Sequence, residues 1–509
     1  MTTNYANRFD RDLAGVFAAR DADWRCGAVV YQVLVDRFAP SADLAAKRHL
    51  YPAPKTLRDW SETPTKGSYL EAQRLWSHEI DFWGGDLAST TAHLGHVQQL
   101  GADVLYLNPV CLATTNHKYD ALDYLQVSPE YGSRADLKAL CDDVHDRGMK
   151  LVLDGVFNHM GRNAPIFREA EADPGSRYRD WFVFGDEYPG GARAWWRAEN
   201  LPELNLENPA VREHLYAGRD SVVRSYLRDG IDGWRLDVAF DIGFNFLEEL
   251  TLAAHAEKPG SLVVGEIANY PKEWFPSVDA VMHFTLRHLI LRLVNGKLEL
   301  AAFSAMLTRL IDETGIDNML RSWIYLDNHD TARLATTVPD PAARRLAQVL
   351  QFTLPGSPNL YYGSELDMPG GDDPEMRAPM RWDLVNDGNA ALLWTKQLIT
   401  LRRQHRALRV GNFRPICAQR LLAFERYTDQ AADTVLVFVN PGESEVTETV
   451  MVANSKLMDS TRLVDVIGQS EPLQMWASLL EVTLPAKSTL VVKPDTQPPG
   501  GYSNYKRVQ

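Results

Sequence analysis

The chain has 509 residues, 45% of them hydrophobic and 24% charged, a globular balance that excludes a disordered or low-complexity polymer. Its 53 Lys and Arg against 67 Asp and Glu leave a formal net charge of −14, which repels phosphate backbones and anionic lipid, so neither nucleic acid nor membrane is an expected partner. No run of 18 apolar residues occurs, residues 1–15 lack the apolar core of an export signal, and the four cysteines (Cys26, Cys111, Cys141, Cys417) fall in no metal-ligand spacing, so a cytoplasmic protein with free, mostly buried thiols is expected.

Short, nearly all-apolar runs recur along the chain at 28–35, 103–107, 150–156, 231–237, 262–266, 280–284, 323–326 and 360–362. Strands buried on both faces read this way. Helix-period stretches such as 135–147 and 299–311 lie between them, and eight βα units in sequence predict an α/β fold, a parallel barrel or a doubly wound sheet. Residues 39–83, between the first and second strands, carry Trp60, Trp76 and Trp83 on an unusually long connection. Asp154 and Asp237 stand 83 residues apart, so a segment of about 50 residues, 161–208, is inserted after the third strand. Loops of this length in a compact domain are usually functional, and on a barrel those that follow strands lie on the active-site face. After about residue 406 the pattern changes to β-rich runs at 420–427, 434–439, 445–452 and 481–492, which predicts an all-β appendage. The expected organisation is thus a (β/α)8 TIM barrel over 1–160 and 209–406, with an extension at 1–27, an inserted subdomain at 161–208, a C-terminal β-sandwich at 407–493 and a tail at 494–509.

Polar residues close strands that are otherwise apolar. Asp154 and His159 follow the third, Arg235 and Asp237 end the fourth, Glu266 ends the fifth, and Asn328, His329 and Asp330 follow the seventh. Arg235 and Asp237, two apart in a strand, share a face. A structural ion pair would explain those two alone, but it leaves unexplained why Glu266 and Asp330 arrive at the same end. Carboxylates converging beside an arginine and histidines suit glycoside cleavage, in which one acid protonates the leaving oxygen and another meets the anomeric carbon. On that reading Arg235 would hold Asp237 ionised and lower its pKa, while Glu266 has to stay protonated until it donates.

The stretches Asp-Gly-Val-Phe-Asn-His (154–159), Gly-Trp-Arg-Leu-Asp-Val-Ala (233–239), Val-Val-Gly-Glu (263–266) and Asp-Asn-His-Asp (327–330) resemble, in order and strand position, the four short conserved regions of the α-amylase family, glycoside hydrolase family 13. Leu-Pro-Glu-Leu-Asn (201–205) resembles its fifth region, and residues 31–38, 82–87, 116–120 and 370–377 match as well. The flavour is that of the neopullulanase and cyclomaltodextrinase branch. The resemblance implies Asp237 as nucleophile, Glu266 as general acid/base and Asp330 as the carboxylate that stabilises the transition state. It further implies that His117, Tyr119, His159 and His329 contact the sugar at the cleavage point, that Arg235 orients the nucleophile, and that Asp373 and Arg377 contact the next sugar on the non-reducing side. Trp195, Trp196, Trp274 and Trp382 are either sugar platforms or packing residues. Asp154 is expected to support Arg235, and Arg333 either touches substrate or caps a helix.

The sequence also departs from the family. Val-Ala-Phe-Asp (238–241) replaces the Lys and His that commonly follow the nucleophile, and no set of six to eight oxygen ligands can be assembled, so no cofactor or metal is required and calcium stays open. Only about 28 residues precede the first strand, where that branch usually carries a dimer-forming β-sandwich, so the oligomeric state does not carry over. The expected activity is a retaining α-glucan hydrolase acting on maltooligosaccharides, cyclodextrins or related oligosaccharides. The alternatives are a transglycosylase on the same scaffold and, with all three carboxylates present, least of all a catalytically silent binding protein.

Overall fold

The computed structural model describes residues 8–196, 198–468, 470–497, 502–506 and 508. The first seven residues of the 1–27 extension, and residues 498–501, 507 and 509 of the 494–509 tail, lie outside the described residues. A helix over Arg8–Ala22 precedes the barrel, and no helix among the described residues is long and apolar enough to cross a membrane.

The eight apolar runs form β1 (Val30–Val33), β2 (Val104–Leu107), β3 (Lys150–Gly155), β4 (Gly233–Leu236), β5 (Leu262–Ile267), β6 (Ala280–His283), β7 (Trp323–Tyr325) and β8 (Ser357–Tyr361). They pair in sequence order into a closed barrel, and β8 returns to β1 in parallel register, Val30 opposite Asn359. The period of two explains why every position reads as apolar. Val30, Val104, Val152, Val264 and Trp323 form a cluster inside the barrel, whereas Tyr31, Leu105, Leu151, Val263 and Ile324 belong to the larger core under the helices. The helices start where the chemistry of their caps allows. Ser133 and Asp136 form a reciprocal capping box at the start of the helix Arg134–Asp146. Asp340 caps the helix Pro341–Thr353, which has Pro341 in its first turn.

The inserted segment carries a helix, Pro165–Ala172, and is closed at its base by a bridge between His159 and Glu203. The long connection after β1 is also ordered. It builds a hairpin from Tyr69–Leu70 and Leu75–Trp76 and a satellite core of Tyr51, Leu75, Ile80 and Phe82.

The C-terminal region contains β9 (Asn412–Ile416), β10 (Leu422–Tyr427), β11 (Val435–Asn440), β12 (Val446–Met451), β13 (Arg462–Asp465), β14 (Leu473–Gln474), β15 (Leu479–Leu484) and β16 (Ser488–Pro494). Six of them form one sheet in the order β9-β10-β11-β16-β13-β14, and β12 pairs with β15. The run 481–492, read from the sequence as one strand, is two. Lys487 adopts φ 47°, its N–H bonds to Gly442 O, and the chain crosses from the β12 partner to the β11 partner. The tail does not simply fray: Tyr505 is buried, and its hydroxyl accepts from Met458 N and bonds to Thr461.

Candidate active site

Because alternate strand residues face inward, the inward polar residues stack at one end of the barrel. Arg235 stands opposite Asp154 in the β3–β4 pairing, one strand away from Glu266 on β5. Its buried guanidinium gathers three carboxylates: Nη1 lies 2.8 Å from Asp154 Oδ1 and 3.1 Å from Asp237 Oδ1, and Nη2 lies 2.9 Å from Glu266 Oε2. The Glu266 contact is an ion pair off the N–H axis rather than a hydrogen bond. Glu266 Oε2 instead accepts the N–H of Val238 at 3.0 Å, from a β-branched residue held at φ 46° directly after Asp237. Asp330 joins from the loop after β7, 3.1 Å from Arg377 Nη2 and 2.9 Å from His329 Nε2. With its side chain 43% exposed, against 9% for Asp237 and 14% for Glu266, it reaches furthest into the open cavity.

The histidine tautomers follow from their partners. Gln32 donates to Nδ1 of His329 at 2.8 Å, so Nε2 carries the proton and faces Tyr119 Oη at 2.5 Å and Asp330. Tyr119 stacks on His329 at a 7° interplanar angle and donates to Asp154 at 2.8 Å. Nδ1 of His117 accepts the N–H of Tyr119, so its Nε2–H points at Glu79 Oε1, 3.1 Å away. His159 is buried with Nε2 3.9 Å from Asp237 Oδ2 and without a hydrogen-bond partner among the described residues. Asp373 lies 3.1 Å from Arg377 Nη1 and 3.3 Å from His78 Nε2. All ten residues singled out in the sequence meet here: eight of them line one cavity of about 560 Å³, and Arg235 and His329 stand behind Asp237 and Asp330.

The electrostatics differ from expectation at Asp237. Burial pushes the Asp237 carboxyl well above its usual range; Arg235 pulls it down, but the charges of Glu266, Asp154 and Asp330 add to the rise. One guanidinium cannot satisfy three carboxylates, and the rise at Asp237 is the result. Burial also raises Asp330, yet His329 and Arg377 outweigh it and hold that carboxylate below the ordinary range. Asp373 is held at about 2: burial opposes, while His78 and Arg377 prevail. Burial drives His159 down to about 3, so its imidazole is neutral.

Of the residues left open, Asp154 supports Arg235 and also accepts from Tyr106 at 2.6 Å. Trp195 lines the cavity and stacks over His159. Trp196 projects into solvent, Trp274 packs on Phe244, and Trp382 packs among Phe38 and His93. Arg333 neither caps a helix with its side chain nor reaches the cavity: it is buried, bonded to the carbonyls of Met376 and Tyr362. Sequence reasoning missed Gln32, Glu79 and the Val238 N–H. A glutamine inside an apolar strand was a signal for the first; nothing in the loop marked the second. Among the described residues no group of three or more His, Cys, Asp or Glu is placed to hold a metal ion.

Comparison with known proteins adds an independent line. The family described as "Alpha amylase, catalytic domain" matches residues 32–411. The chain is 33% identical over 466 residues to neopullulanase 2 of Thermoactinomyces vulgaris, covering 86% of this chain and 74% of that one. It is 34% identical over 434 residues to a cyclomaltodextrinase of a Bacillus species, covering 82% and 73%. Among solved structures, the cyclic α-maltosyl-(1→6)-maltose hydrolase of Arthrobacter globiformis superposes with a TM-score of 0.77 at 29% identity, over 93% of this chain and 99% of that one.

Proposed function

The chain belongs to the α-amylase family of glycoside hydrolases, and from that premise we propose that it cleaves α-glucosidic bonds in maltooligosaccharides, cyclodextrins or related α-glucans with retention of configuration, acting in the cytoplasm. The observation that supports the reading is the single guanidinium of Arg235 in contact with Asp237 and Glu266 together, which keeps the two carboxyls near enough to act on one sugar as nucleophile and proton donor.

In the first step Asp237 attacks the anomeric carbon while Glu266 protonates the departing oxygen. The Val238 N–H and the Arg235 charge both sit on Oε2 of Glu266, which leaves Oε1 to carry the proton to the leaving group. Arg235 then faces an ester at Asp237 and an anion at Glu266, and its charge stabilises the base that the second step needs. Glu266 removes a proton from water, which opens the glycosyl ester and restores both carboxyls. Asp330, kept ionised by His329 and Arg377, pairs with ring hydroxyls and with the positive charge developing at the anomeric carbon. The unpaired Nε2–H of buried His159 takes a sugar hydroxyl, and Tyr119 and Trp195 offer aromatic faces to the C–H side of the ring. The motif residues and the family membership support these roles.

Incubation with maltoheptaose, β-cyclodextrin and pullulan, followed by NMR of the first product formed, tests the proposal. The expected result is an α-anomeric product; a β-anomer overturns retention. Asp237→Asn is expected to lower kcat by at least about a thousandfold with the fold intact, the order seen when a member of a catalytic group is removed. Products longer than the substrate at high concentration would assign the transglycosylase reading instead.

A further inference from the structure

The connection after β1 carries three tryptophans, and the fold uses them differently. Trp60 and Trp83 commit their indole N–H groups to the carbonyls of Met380 and Glu62. Trp76 sits in the hairpin of Tyr69–Leu70 and Leu75–Trp76, directly opposite Tyr69, while Leu70 stands opposite Leu75. Successive residues of a strand point to opposite faces, so the two leucines turn toward the satellite core and the two aromatic residues turn away from it. Tyr69 and Trp76 are 41% and 39% exposed, and both line the catalytic cavity. Their rings meet edge to face with centroids 5.7 Å apart, a contact that steadies both. Lys66 covers one face of the indole, 5.4 Å from its centroid, and lies outside the cavity lining, so the cavity meets the rest of the ring. The exit of the hairpin is pinned to the site: His78 Nε2 lies 3.3 Å from Asp373, and His117 Nε2 lies 3.1 Å from Glu79.

The place of the hairpin in the barrel determines which part of a substrate it meets. β5, which carries Glu266, and β1, from which the hairpin connection leaves, are four strands apart in either direction around the closed barrel. Glu266 has to stand beside the departing oxygen, so the leaving group lies on the β5 side and the retained sugars run toward the hairpin. From Asp330 the cavity wall continues through Arg377 and Asp373 to His78, and the His78 ring is 6.1 Å from the Trp76 ring between centroids. The charged Arg377–Asp373 pair thus stands between the reacting carboxylates and the hairpin, where the hydroxyls of a second sugar would lie, and the next sugar outward meets the aromatic rings. We propose that Tyr69 and Trp76 form an aromatic platform for the third glucosyl unit on the retained side of the cut bond, and so make the enzyme selective for glucan length. This rests on the glucan-hydrolase reading above and adds a specificity determinant to it. The C–H faces of a glucosyl ring leave water against an aromatic surface, a contact that an open cleft offers to linear and cyclic glucans alike. Two large aromatic side chains left this exposed forgo apolar burial in the free enzyme, and a bound sugar recovers it.

The test measures kcat/KM for release of p-nitrophenol from p-nitrophenyl α-maltoside and α-maltotrioside, because that bond breaks only when every sugar lies on the retained side. Wild type is compared with Trp76→Ala, Trp76→Phe and Tyr69→Ala, and circular dichroism and melting temperature control for folding. In wild type the value is expected to rise from the maltoside to the maltotrioside. Trp76→Ala is expected to lower the maltotrioside-to-maltoside ratio by about tenfold, the scale at which one apolar contact discriminates between substrates. Trp76→Phe keeps an aromatic face and is expected to recover most of that ratio, and Tyr69→Ala to lower it by less than Trp76→Ala does. A wild type that gains nothing from the third sugar overturns the proposal. So does an unchanged ratio in folded Trp76→Ala, including an equal loss on both substrates, which would make the indole a prop for the hairpin. A wild type that cleaves neither these glycosides nor maltoheptaose nor β-cyclodextrin overturns the underlying reading, a different result from glucan cleavage without length preference.

Discussion

Arg235 is wholly buried and has three carboxylates around it, so its role is to divide one positive charge among them. Replacement by lysine keeps the charge but offers one nitrogen in place of a planar fork, and cannot hold Asp154, Asp237 and Glu266 in their present geometry. Arg235→Lys is expected to lower kcat by about 10²–10³, comparable to losing one preorganised electrostatic contact, with KM changed much less. Steady-state kinetics check this. The raised Asp237 carboxyl also bears on the pH dependence. Protonation of Asp237 removes the proposed nucleophile, so kcat/KM is expected to fall on the acid side, in a limb set by that carboxyl. Asp330 is among the negative charges that raise Asp237, so Asp330→Asn is expected to move the acid limb to lower pH in the activity that remains. A limb that stays put or rises would contradict this arrangement of charge. His159, neutral down to about pH 3, takes no part in that limb. The raised pKa of Asp237 could not be read from the sequence, because an arginine two residues away announces attraction while the opposing carboxylates come from other strands.

The loops around the site are elements in their own right, and a buried charge cluster ties two of them together. Glu130, after the hairpin formed by Cys111–Ala113 and Ala121–Val127, is buried beside Lys118 and Lys55, with Lys118 Nζ at 3.5 Å and the Ser128 hydroxyl at 2.5 Å. Burial pushes Glu130 up, but the two lysines win and hold it at about 2, below its ordinary 4.5. Glu130→Gln removes the ion-pair partner of buried Lys118 and of Lys55, a loss of about 3–5 kcal/mol that a lowered melting temperature at pH 7 should report. The folded pKa lies below the unfolded one, so this stabilisation is complete above about pH 4.5 and fades toward about pH 2. The gap in melting temperature between wild type and variant is therefore expected to shrink at pH 3. All eight barrel runs were legible as elements because strands buried on both faces have little freedom in composition. The split within 481–492 was not, because the turn is made by Lys487 in a left-handed conformation rather than by a glycine. The hairpin over Tyr69–Trp76 and the short turn after it that supplies Glu79 were hidden for a similar reason: two-residue strands carry no periodicity.

At the scale of the molecule, the C-terminal sheet is separate from the barrel but shares its apolar core. Phe424, Val437 and Val491 belong to the same apolar cluster as the barrel helices, while the opposite face of the sheet forms a separate core with Phe438 and Val482. Buried Arg426 reinforces the joint by donating to the carbonyls of Thr353 and Gly411. With a shared core the two parts cannot melt independently, so calorimetry is expected to show one transition; two separated endotherms would contradict it. The closure of the barrel has a consequence in time as well. β1 is made first and pairs with β8, more than 300 residues later, and Gln32 on β1 sets the proton position on His329. At about 5–20 residues per second, a ribosome needs some tens of seconds to bring those partners out. A half-made polypeptide therefore carries Asp237 and Glu266 before the strand that closes the barrel around them exists, and the newborn enzyme is expected to become competent only once its last barrel staves arrive.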